Sequence, residues 1–94
     1  MSDEQRFDSV WNAIEDTPAQ AATMRLRSHL MLVLRDHIAR EGLTQARAAA
    51  ILGVTQPRIS DLMRGRIDLF AIESLVTMLS AAGLQVELRV ARAA

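Results

Sequence analysis

Residues 44–65 read TQARAAAILGVTQPRISDLMRG, and the reading of this stretch decides the fold. Thr44 is placed to cap a helix in which Ala48, Ala49, Ile51 and Leu52 share one face. Gly53 suits the left-handed residue that ends a helix, and Val54 fills the space beneath the turn. Thr55 then caps a second helix. In it Ile59, Leu62 and Met63 recur at i, i+3 and i+4 and turn inward, so Gln56, Arg58, Ser60, Asp61 and Arg64 are expected to point away from the core. The spacing predicts two short helices joined at a Gly-Val corner.

That is the layout of a helix-turn-helix, and the spelling resembles the Xre type found in Cro and the phage repressors. The pattern T-Q-x-x-x-A-x-x-L-G-V-[ST]-Q-x-x-[IV]-S-x-[LW] is matched by Thr44, Gln45, Ala49, Leu52, Gly53, Val54, Thr55, Gln56, Ile59, Ser60 and Leu62. An ordinary helical hairpin with a glycine at its corner accounts for the apolar positions but not for Gln45 and Gln56. The resemblance implies a mostly α, five-helix, lambda-repressor-like domain whose second helix of the pair enters the major groove of DNA.

Within that frame Gln56, Arg58, Ser60, Asp61 and Arg64 are the candidate base-reading residues. The Gln56 amide can donate to N7 and accept from N6 of adenine, and Arg58 and Arg64 are long enough for guanine or phosphate. Asp61 stands three residues from each arginine, so it either orients them or accepts from cytosine. Thr44, Gln45, Arg47, Thr55 and Arg66 are the candidate phosphate contacts. The phage-repressor resemblance further implies that Gln45 braces Gln56. Pro57 costs no hydrogen bond in the first helical turn and stiffens the start of the reading helix.

Charge looks adverse at first, because 11 basic and 11 acidic residues cancel and the isoelectric point is near 6.7, whereas a nucleic-acid binder is expected to be basic. Location resolves this. Over residues 1–23 Arg6 stands against Asp3, Glu4, Asp8, Glu15 and Asp16, while residues 44–66 set Arg47, Arg58, Arg64 and Arg66 against Asp61 alone. Every basic residue is arginine, the side chain suited to bidentate contacts with phosphate and guanine.

Ninety-four residues make one domain that buries about 60–65 % of its unfolded surface. Stability at that size is modest, and a second subunit would add to it. The absence of cysteine excludes disulfides and thiolate metal sites. There is no apolar run long enough for a membrane span and no signal-peptide pattern, so the expectation is a cytoplasmic protein without membrane contact. No serine-nucleophile elbow, phosphate loop or paired carboxylate motif is present, and the chain is not expected to be an enzyme or to carry a cofactor.

Toward the N-terminus, Ser2 and Gln5 form a possible capping box, and Phe7, Val10, Trp11 and Ile14 trace a short amphipathic helix ending near Asp16. Its stripe covers the chain's own core, a second subunit or a protein ligand; the sequence does not separate these. Thr17, Pro18 and Gln20 open a long helix with Leu26, Leu30, Val33, Leu34 and Ile38 on its buried face, a possible break near Ala22 or Thr23, and an end at Gly42. His29 and His37, eight residues apart on it, are flank residues and not a metal pair. After Gly65, Asp68 is a candidate cap for a last helix with Leu69, Ile72, Leu75, Val76 and Leu79 inward. From residue 84 the period changes to two: Leu84, Val86, Leu88 and Val90 alternate with Gln85, Glu87, Arg89 and Ala91, which predicts a strand over 84–91 that pairs across a homodimer.

The segments RIDLFAIESLVTMLSAAGLQVELRV (66–90) and FDSVWNAIEDTPAQAATMRLRSHLMLVLRDHI (7–38) resemble a group of small Xre-type proteins, the HigA-like antitoxins. In that group serine is common where this chain has Ala71, so the last helix is expected to lack a side-chain cap. The resemblance implies a dimeric repressor on a palindromic double-stranded DNA operator and, in antitoxin members, a partner toxin that is a small basic ribonuclease. The alternative is a stand-alone or prophage-type repressor without a toxin.

Overall fold

A computed structural model of the protein describes residues 17–93. Helix α1, Pro18–Arg40, opens with the expected reciprocal cap: the Gln20 amide donates to the Thr17 hydroxyl and the Thr17 amide to the Gln20 side chain, both at 3.0 Å. It runs without a break, since the Thr23 hydroxyl donates back to the Ala19 carbonyl at 3.0 Å and leaves the helical ladder intact. Its buried face is Leu30, Met31, Leu34 and Ile38. Met31 is 3 % exposed, whereas Val33 is 38 % and Leu26 43 %. At about 100° per residue Val33 stands about 100° to the side of Leu34, and Met31 falls inside the stripe.

Helix α2, Gln45–Leu52, is capped by Thr44 and buries Ala48, Ala49 and Leu52. Ile51, expected inward, lies on the exposed flank. Gly53 takes the left-handed conformation at φ 71°, which lets the Val54 amide donate to the Ala49 carbonyl at 3.0 Å and turns the chain into α3, Gln56–Met63. Ile59 and Leu62 are fully buried, and Val54 and Met63 pack at the margin of the core.

After α3 the chain makes a 3-10 turn, Ile67–Leu69, before α4, Ile72–Ala81. Asp68 therefore lies within the turn and does not cap the last helix, and Leu69 is exposed while its neighbour Phe70 is buried. Ala71 holds the cap position of α4 and makes no side-chain hydrogen bond there, as expected for alanine. Leu75, Met78 and Leu79 of α4 face α1, and α2 packs on α3, so a single apolar cluster joins all four helices. Deleting one such buried side chain, as in Ile59→Ala, typically costs about 2–5 kcal/mol.

Two expectations of a five-helix fold with a C-terminal strand are not met by this architecture. The described residues hold four α-helices and one 3-10 turn, and the helix expected over residues 1–16 lies outside them. Among the described residues there is no strand: residues 84–93 have no regular structure. Leu84 packs against the core, but Leu88 and Val90 are 81 % and 85 % exposed. A strand is made by hydrogen bonds to a neighbouring strand, and the described residues offer none.

Candidate nucleic-acid interface

The interface is built from the capped ends of α2 and α3. Thr44 and Thr55 hold the same local geometry: each hydroxyl accepts the amide hydrogen of the residue three positions on, Arg47 at 3.1 Å and Arg58 at 3.3 Å. A hydroxyl that accepts still carries its own hydrogen, so both threonines keep a donor for an outside oxygen. Both are exposed, and so are Gln45, Arg47, Gln56 and Pro57. The two capped helix N-termini, the two amides and Arg47 are thus all open to solvent.

The outward set of α3 is less uniform than its spacing suggested. Ser60 and Asp61 are half-buried and Arg64 is exposed. Asp61 pairs with Arg64 at 3.0 Å and makes no ion pair with Arg58. Both partners touch solvent, so the pair orients the guanidinium at little energetic gain. Arg66 lies 3.9 Å from Asp68, a loose exposed contact. Arg58 is turned away from Gln56: its Nη1 donates to the Leu69 carbonyl at 2.7 Å and its guanidinium lies over the Phe70 ring, 4.0 Å from the centroid. Among the described residues no hydrogen bond joins Gln45 to Gln56.

One basic residue was not foreseen. A Cβ added at Gly65 would come within 3.3 Å of an Arg35 guanidinium nitrogen, so this arginine of α1 reaches the C-terminal end of α3. Nothing local in the sequence of α1 marks it, because its place follows from how α1 crosses α3. Arg35 thus joins Arg64 and Arg66 near the C-terminal end of α3, with Arg47 exposed on α2.

A capped helix, a left-handed glycine and a second capped helix with its polar side in solvent are the parts of one compact motif. A family model described as a helix-turn-helix domain matches residues 13–91. The chain belongs to the helix-turn-helix family. A solved structure provisionally described as an XRE family transcriptional regulator is similar to this helix-turn-helix protein at 34 % identity, with a TM-score of 0.73 over 78 % of this chain and 82 % of that one. That level of identity and coverage assigns the helix-turn-helix to the XRE type. No curated protein matches the chain. Among the described residues no helix is long and apolar enough to cross a membrane, and no group of His, Cys, Asp or Glu gathers as metal ligands.

Proposed function

We propose that this protein is a sequence-specific DNA-binding transcription regulator, acting in the cytoplasm as a homodimeric repressor on a palindromic operator. The observation that supports the DNA-binding part is the polar, solvent-accessible side of α2 and α3; in this reading Thr44, Gln45, Arg47, Thr55 and the nearby Arg66 contact phosphates and Gln56, Ser60, Asp61 and Arg64 read base edges. The similarity to an XRE family regulator supports the same reading. The dimer is supported by the tail: Val86, Leu88 and Val90 leave an apolar, period-two row in water, which the same strand of a second copy would cover.

The finer reading is that the repressor is the antitoxin of a toxin-antitoxin pair and controls its own operon. It rests on the resemblance of residues 7–38 and 66–90 to HigA-like antitoxins and on a charge of suitable sign for a basic ribonuclease, Arg6 against five carboxylates in residues 1–23. A stand-alone repressor is the alternative.

The test is selection of duplexes from a randomised 30-base-pair library with the full chain, followed by titration of the enriched duplex against random duplex. Enrichment of a palindrome, bound about 10³-fold or more tighter than random DNA, is expected. Recovery of unenriched sequence would remove the DNA-reading conclusion. For the antitoxin, a neighbouring reading frame that arrests growth alone and is silenced by co-expression of this chain is the expected result, and a harmless neighbour leaves the stand-alone repressor.

A further inference from the structure

Arg58 is held at more points than any other arginine of the interface. Its backbone amide donates to the Thr55 hydroxyl, its Nη1 donates to the Leu69 carbonyl at 2.7 Å, and the face of its guanidinium lies 4.0 Å from the Phe70 centroid. This uses both recognition surfaces of arginine, the donor edge and the planar face. Phe70 is 1 % exposed and locked in the core, so the ring is a fixed seat. Leu69 ends the 3-10 turn, where a carbonyl has no helical donor, and Ala71 gives α4 no side-chain cap. At the corner between the turn and α4 the Leu69 carbonyl takes its hydrogen bond from α3, through the Arg58 guanidinium.

Ile59 and Leu62 hold the underside of α3, which fixes its depth but resists rotation about its own axis less well. Arg58 grips the flank. At about 100° per residue it stands about 40° from Leu62 and about 160° from Gln56. A clamp there sets the rotation of α3 and with it the direction of Gln56, Ser60 and Arg64, which follow one another at i, i+4 and i+8 on the open side.

We infer that Arg58 is a positioning residue: pinned between the Leu69 carbonyl and the Phe70 ring, its guanidinium fixes the angle at which α3 presents its reading side chains. The inference rests on the DNA-reading proposal for its consequence, though not for its geometry. It assigns Arg58 a role other than contact with guanine or phosphate.

The probe is the best duplex from the library selection, with single-base variants at each half-site position, titrated against Arg58→Lys, Phe70→Leu and the double variant. Arg58→Lys keeps the charge and loses the fork and the stack, and Phe70→Leu alters the seat without touching any outward residue. Both are expected to lower affinity for the selected duplex about tenfold. The loss should spread over all half-site positions, with the salt slope unchanged and the double variant close to either single one. Loss of preference at one base pair in Arg58→Lys, or a salt slope reduced by about one in the charge-removing Arg58→Gln, overturns the inference. If Phe70→Leu fails to fold, Arg58→Lys alone decides between a spread and a single-position loss. If the wild type selects no duplex, the DNA reading itself has failed, and native-state hydrogen exchange judges the clamp. Amides of α3 exchanging about tenfold faster in Arg58→Lys, with those of α1 unchanged, support it, and equal rates for α3 overturn it.

Discussion

At the scale of single residues, two threonine caps and two exposed glutamines mark the N-terminal ends of α2 and α3. Gln45 and Gln56 are both exposed and share no hydrogen bond in the free chain, so the proposed brace between them would have to form in the proposed DNA complex. In titrations of the selected duplex, Gln45→Ala and Gln56→Ala are therefore expected to be non-additive, with a coupling of about 0.5–3 kcal/mol, the range for residues in one hydrogen-bond network. Strictly additive losses would show two independent contacts. The caps were legible because a threonine before an apolar-periodic run has one structural use, and both bonds formed. Arg58 was read as one of the outward set, and its contact with Leu69 and Phe70 was not legible. A wheel drawn around Ile59 and Leu62 puts it on their flank, but which way its long side chain leans depended on a carbonyl and a ring 11 and 12 residues later in the chain.

At the scale of elements, the corner between α2 and α3 depends on one backbone conformation. Gly53 stands at φ 71°, and no atom lies within 4 Å of the position its Cβ would take. Gly53→Ala thus meets no clash and carries only the left-handed penalty, about 1–2 kcal/mol, and Gly53→Asn, which tolerates that region better, should recover part of it. Urea unfolding measures both. An alanine variant as stable as wild type would mean that the turn shifts out of the left-handed region when the side chain is added. The extent of α2 and α3 was readable because cap, stripe and glycine all agree within 22 residues. On α1 the stripe was displaced: Val33 was taken for Met31 because both are apolar, and only the crossing with α4 decides which flank is covered. The 3-10 turn was missed for a related reason, since Asp68 reads as the cap of a helix beginning at residue 69, and nothing local marks Ala71 as the cap of one beginning at 72.

At the scale of the whole molecule, a chain of zero formal charge exposes Arg47, Arg64 and Arg66 on and beside α2 and α3, and among the described residues its C-terminal segment has no strand to pair with. The period-two pattern after Gly83 was a sound reading of side-chain chemistry but not of a single chain, because a strand is a property of two segments. Leu84 already belongs to the core and its amide donates to the Leu79 carbonyl at 2.9 Å, so a cut after Leu84 spares α4. Removing residues 85–94 should leave a folded protein by circular dichroism and turn a dimer into a monomer by sedimentation. A monomer brings one reading helix to DNA in place of two set about 34 Å apart, and its affinity for the palindrome should fall by about 10³-fold, toward the level for random duplex. A truncated chain that remains dimeric and binds the palindrome as before would place the interface elsewhere. The next surface to test would then be α1, where Leu26 and Val33, seven residues apart, stand exposed on one flank.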